Sequence, residues 1–170
     1  VLASKFVTKA QSIVSRAVNP TKPAVITIGK IEGGTAHNII PEKVKLWGTV
    51  RTFDKEVKEL IKAKLDSLAK GITESAGGSY SFNFNYGYPA VINSENEANL
   101  IIKNSRNLFG EESVIDNDSP IMAGEDFAFY QEIFPGSFCY VGSGSEDSDS
   151  TYMWHHPKYN VDNRFFLTAA

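Results

Sequence analysis

Chemistry in this chain would have to come from few groups. The 170 residues include three histidines, and two of them stand side by side in "MWHHPKY" (153–159). Neutral imidazole nitrogen is a common ligand for zinc-like ions, so a histidine pair just before a proline raises the question of a metal. A metal site takes three or more protein ligands, and nothing adjacent completes a set. In an extended segment neighbouring side chains point to opposite faces, which would keep His155 and His156 from gripping one ion together. On spacing alone, two surface or half-buried histidines beside a proline turn are favoured over one ligand of a site assembled elsewhere. Asp147, Asp149 and Asp162 lie near in sequence, but carboxylates in so polar a loop are more often simply solvated. No His-x-x-x-His, Cys-x-x-Cys or His-Glu-x-x-His pattern occurs.

The third histidine sits in "GGTAHNIIP" (33–41). Two glycines permit close backbone approach, so the loop could present the His37 imidazole and the Asn38 carboxamide to a ligand oxygen. The plainer reading is a hairpin connection with His37 facing solvent. Arg51, in "GTVRTF" directly after that hairpin, could grip a carboxylate with both arms of its guanidinium or be an ordinary exposed strand residue. "AGEDF" puts Glu125 and Asp126 at a helix start, where acids satisfy free N–H groups, so capping is the default reading. Cys139 lies in an apolar stretch and reads as inert packing. The serines of "GSGSEDS" do not match Gly-x-Ser-x-Gly, which removes support for a hydrolase elbow.

The elements that must position these groups follow from periodicity. Residues 1–17 read as an amphipathic helix with Phe6, Ala10, Ile13, Val14 and Ala17 on one side. "NPTKP" stops it, "AVITIGKI" reads as a strand, and 43–53 as a second, antiparallel strand. Asp54 caps a long helix carrying Val57, Ile61, Leu65 and Leu68 along one face and ending at Gly77-Gly78. "SYSFNFNYG" (79–87) alternates strictly and reads as a third strand with its aromatics on one face. Helix, strand, strand, helix, strand is a ferredoxin-like split βαβ lacking its first strand. Beyond Gly87 come a helix over 94–109, a helix starting near Glu125, an apolar strand over 137–142 and a final helix, the grammar of part of an α/β domain.

Bulk properties exclude several classes. A net charge of −3 with dispersed basic residues gives no reason to expect nucleic acid. No apolar run approaches the ~20 residues that span a bilayer. One cysteine excludes an internal disulfide framework and fits a reducing, cytoplasmic setting. The chain opens without methionine and stops within an apolar helical pattern, which suggests a piece of a longer protein.

Singly these signals are weak; their order is not. "SIVSRAVNPTKPAVITIGKIEGGTAHNIIPEKVKLWGTVRTFD", "AGEDFAFY", "PGSFCYVGSG" and "HHPKYNVD" together resemble the metal-dependent amidohydrolases and zinc carboxypeptidases, the family of N-acyl-amino-acid, hippurate and auxin-conjugate hydrolases. The resemblance implies an α/β class fold in two parts. Residues 1–86 would be an incomplete α+β lid that also dimerises, and 87–170 the C-terminal portion of the catalytic domain. It implies His155 as the last metal ligand and His156 as a variable neighbour. It implies His37 as the donor that stabilises an oxyanion, in several members in the partner subunit's site. Asn38 and Arg51 would position the substrate and its carboxylate, with Glu125 close to the active site. Two zinc ions, or manganese or cobalt, would act per site, and the substrate would be an N-acyl amino acid or short peptide. The remaining ligands and the glutamate base would precede Val1, so this chain alone would be inactive, and the parent a homodimer joined through the lid. The rival reading is a non-catalytic dimerisation or ligand-binding module with incidental histidines.

Overall fold

The computed structural model of the chain describes residues 1–116, 119–144 and 151–169. Two compact units are present, the first formed by Val1–Ile92 with Ile115–Phe134 and the second by Asn93–Val114 with Pro135–Ala170.

In the first unit, α1 (Leu2–Ala17) and α2 (Lys55–Glu74) pack on a two-stranded antiparallel sheet of β1 (Ala24–Glu32) and β2 (Lys45–Thr52). The helical stripes predicted from spacing are the buried ones: Ala10 and Ile13 from α1, and Val57, Ile61, Leu65 and Ile72 from α2. Ile26 of β1 joins them, with Val50 beside it across the ladder and Phe6, Val14 and Leu68 partly buried around the rim. Ile61 is the largest side chain removed completely from solvent. Ala17 departs from expectation, since it is exposed and Val18 is buried in its place. The helix has ended there, and Val18 is already extended with ψ 140°.

Both ends of α2 behave as its sequence dictates. The Asp54 carboxylate accepts from the Val57 N–H at 3.0 Å and pairs with Lys22, which fixes the helix start to the α1–β1 connection. At the other end Gly77 adopts φ +65°, and the Gly78 N–H donates back to the Thr73 carbonyl at 2.9 Å.

The register of the hairpin depends on two glycines. Gly29 falls at a bulge, where the ladder passes from Ile28↔Gly48 to Lys30↔Trp47. At Gly48 the strands approach so closely that a Cβ would collide with the Thr27 carbonyl oxygen.

The third strand expected over 79–87 does not form. Its alternation is realised in packing: Phe82 reaches the core, and the rings of Phe82, Phe84 and Tyr86 follow one another with centroids 6.2 and 5.3 Å apart. Tyr80 donates to Asp66 at 3.0 Å. The Tyr86 hydroxyl donates to Glu59 at 2.7 Å and accepts from Lys62 at 2.8 Å, which raises the Lys62 pKa. The segment is therefore laid along α2 by its aromatic side chains. An extended chain becomes a strand only beside a hydrogen-bonding partner. Among the described residues the only sheet is the β1–β2 pair, and neither strand pairs with 79–87.

The second unit contains α3 (Glu95–Phe109), one 3₁₀ turn at Glu111–Ser113, and α5 (Phe165–Ala169); α4 (Phe127–Gln131) belongs to the first. The strand expected at 137–142 is absent. Phe138 finds its partner in the Asn93 side chain, which accepts from its N–H at 2.8 Å and donates to its carbonyl at 2.9 Å. One carboxamide thus does what a neighbouring strand would do, for a single residue. Cys139 is exposed, contrary to the packing expected of it, because no sheet face forms here to cover it. Among the described residues no helix is long and apolar enough to cross a membrane.

Two outcomes follow for stability. Ile61→Ala should destabilise the first unit by about 2–5 kcal/mol, read as a lower urea midpoint, because the site is enclosed on all sides. The Asp54 carboxyl titrates below its usual range because Lys22 and then the Val57 N–H bond its charged form. Its contribution is therefore present above the ordinary carboxylate value of about 4 and is lost as pH falls through the lowered one. Melting temperature measured against pH should fall in that acid window for the native chain and less steeply for Asp54→Asn.

Candidate functional site

The hairpin presents the His37 loop. Gly33 is pinched against the opposite end of the loop, where a Cβ would meet Val44 Cγ2 at 2.9 Å and the Lys43 carbonyl at 3.0 Å. Gly34 follows with φ +92°, a conformation that glycine adopts without strain. The chain then turns: the Ile39 N–H donates to the Ala36 carbonyl at 3.3 Å, with His37 and Asn38 at the two central positions. Every residue from Ile31 to Lys45 is exposed. Both polar side chains are thus displayed on an exposed turn, held by a crowded strand end.

Arg51 stands at the far end of the same hairpin, paired with Val25. Six residues separate it from Lys45, where the loop rejoins β2, roughly 20 Å along a strand. Its Nη1 donates to the Met122 carbonyl at 3.1 Å, and the residue remains exposed. That contact brings Arg51 to the "AGEDF" segment predicted to matter. Gly124 lies against Tyr88, whose ring would be 3.0 Å from a Cβ there, and Tyr88 meets Phe129 edge to face at 5.8 Å. Glu125 accepts from the Phe127 N–H at 3.4 Å, so its carboxylate lies beside the first residue of α4, whose cap position is held by Asp126. The structure therefore gathers Arg51 and the Glu125 segment at one end of the hairpin, with His37 and Asn38 at the other.

The histidine pair lies in the second unit. It is a turn, which corrects the extended geometry assumed from sequence: the His156 N–H donates to the Met153 carbonyl at 3.1 Å, and the Tyr159 N–H to the His156 carbonyl at 2.9 Å. The two rings are distinguished by the backbone. His155 has φ 68°, the one non-glycine positive φ among the described residues, and its side chain is exposed. His156 stacks on Tyr152, 4.4 Å apart and 9° from parallel, and its Nδ1 accepts from the Lys158 N–H at 3.1 Å. One imidazole is engaged in building the turn; the other is held outward in a strained conformation, which is where functional groups tend to be found.

Chemistry of the donor set decides whether a metal fits these residues. Among the described residues no three histidine, cysteine or acidic side chains group closely enough to hold an ion. Asp162 is engaged by Arg164 through bonds of 2.6 to 3.1 Å. Asp147 and Asp149 lie outside the described residues. The described residues do not by themselves make a metal centre. Sequence reasoning had no access to the Met122 carbonyl or the Asn93 clamp, since main-chain acceptors carry no residue-type signal. The Tyr152–His156 stack had one, an aromatic four positions before the histidine.

Comparison with known proteins settles the family. The description Peptidase family M20/M25/M40 matches residues 10–168. The chain belongs to peptidase family M20/M25/M40. Relatives of this M20 chain include the N-acetyl-L-cysteine deacetylase of Bacillus subtilis, 36% identical over 99% of this chain and 38% of its own length. The hippurate hydrolase of Campylobacter jejuni is 31% identical over 99% of this chain and 43% of its own. The crystal structure of Bacillus subtilis YXEP, described as a dinuclear metal binding peptidase from the M20 family, superposes with a TM-score of 0.74 and 30% identity. It is covered over 42% of its length by 99% of this chain. The chain thus spans about two fifths of the relatives it matches.

The strain at His155 is measurable. His155→Gly should stabilise the turn by about 1 kcal/mol, since glycine adopts positive φ freely. A higher urea midpoint would register it, and His155→Ala should show no such gain.

Proposed function

We propose that this M20 chain is part of a protein that hydrolyses the amide bond of N-acyl amino acids or short peptides. Family membership carries the reading, and the names of two relatives, a deacetylase and a hippurate hydrolase, support the reaction type. The chain's own contribution is positioning and charge stabilisation. His37, displayed on a turn with Asn38 beside it, donates an N–H to the oxygen that gains charge as the amide carbonyl becomes tetrahedral. Asn38 orients the acyl side of the substrate. Arg51, with one N–H already on Met122, turns the rest of its exposed fork to the substrate carboxylate, and Glu125 supports that end.

The hairpin supplies a reason for two subunits. His37 and Arg51 stand at opposite ends of a sheet that is roughly 20 Å from Lys45 to Arg51, longer than an N-acyl amino acid. A homodimer in which one subunit's loop meets its partner's Arg51 satisfies both roles. His155 is the imidazole this chain offers to a divalent-metal centre, zinc, manganese or cobalt, whose other donors come from the rest of the whole protein. Such ions supply an activated water and a polarised carbonyl.

In the whole protein, His37→Ala should lower kcat by about 10²–10³ with metal content unchanged. His155→Ala should lose metal and activity together, whereas His156→Ala keeps most metal and loses stability of the turn. Steady-state rates beside metal analysis of the same preparations check all three. An unchanged kcat in His37→Ala would remove the oxyanion role, and equal metal loss in the two histidine variants would remove the distinction drawn between them.

A further inference from the structure

A groove of about 520 Å³ runs between α1 and α2, and it is lined by none of the residues assigned chemistry above. Its walls are one stripe of each helix, at spacings of three and four that put side chains on a common face. Leu2, Leu68, Ile13 and Ile72 form an apolar floor, the last two buried. Lys5, Lys9 and Lys64 stand around the mouth.

The charge of this groove is one-sided. Residues 1–31 contain five lysines and arginines and no acid at all. Four acids occur on α2, and three of them are engaged elsewhere: Glu59 by Tyr86, Asp66 by Tyr80 and Glu74 by Lys70, the fourth being Glu56 in the first turn. None lines the groove. Lys5, Lys9 and Lys64 make no ion pair among the described residues. Three ammonium groups are thus left around a trough lined by four large apolar side chains together with Ser12, Ser67 and Ser75, in a chain whose net charge is −3.

A second observation concerns Gly71. It lies inside α2, where glycine weakens a helix relative to alanine. No turn, positive φ or close approach requires it, since a Cβ there would meet nothing within 4 Å. What the missing side chain does is leave the groove open, because Gly71 is part of its wall.

We infer that this groove binds an amphipathic organic oxyanion, its apolar body on the Leu2–Leu68–Ile72 floor and its charged head among Lys5, Lys9 and Lys64. The volume falls in the range of small-molecule sites. Three point charges favour a dianionic phosphate monoester over a monoanionic carboxylate. The site is independent of the amide-hydrolase reading, since none of its residues is assigned a part in that reaction.

Octyl phosphate titrated into the full chain by calorimetry tests it. Saturable binding at one site is expected, with octanoate weaker, inorganic phosphate weaker by about tenfold or more for want of the floor, and octylammonium not bound. Gly71→Leu should fill the groove and Lys9→Glu should reverse its charge, each weakening octyl phosphate by about tenfold or more with helical circular dichroism unchanged. Tighter octanoate than octyl phosphate would overturn the phosphate assignment. Octylammonium binding as well as octyl phosphate, wild-type affinity in Gly71→Leu, or no saturable heat from octyl phosphate would overturn the site.

Discussion

The enclosure of one stripe of α2 is the constraint on which the first unit depends. Val57, Ile61 and Leu65 are covered at once by α1, by the inner face of the hairpin and by Phe82. Because Ile61 has no solvent-facing side, neither helix can rotate without exposing it, and close packing converts that demand into fixed helix positions. The Asp54 cap and its pairing with Lys22 then set where α2 begins relative to β1. The hairpin's direction, and with it the place of the His37 loop, follows from this packing.

Side chains bonded to distant main chain act as the joints. Arg51 ties β2 to residue 122, Asn93 ties the entry of α3 to residue 138, and the Ser94 N–H and hydroxyl engage Gly136. Each spans more than forty residues of sequence and satisfies main-chain groups where no ladder does. They hold irregular segments to defined partners, and irregular segments carry most of the residues assigned chemistry here.

What could be read from sequence was what repeats. Three- and four-residue spacing marked α1, α2 and α3, the Asp54 cap and Gly77 marked the limits of α2, and β-branched alternation marked β1 and β2. The order of "GGTAHN", "AGEDF" and "HHP" motifs led to the family that the comparison establishes. Alternation over 79–87 correctly put the aromatics on one face but could not report the absence of a pairing partner, which is a property of another segment. The 137–142 stretch failed for the same reason. The resemblance set His155 apart from His156, but the physical difference between them needs the backbone: identical residues in adjacent positions differ here by one dihedral and one stacked ring.

The aromatic segment over 79–87 has one more consequence. Its rings are fastened to α2, so the chain is held straight, while its amides and carbonyls make no main-chain hydrogen bonds among the described residues. A straightened backbone with open valences is a template for any passing extended peptide, including the same segment of another molecule. No proline or charged side chain interrupts residues 79–87 to discourage that docking. The aromatic stripe thus positions the segment's main chain without satisfying it, leaving its N–H and C=O groups to water or to whatever strand lies beside it.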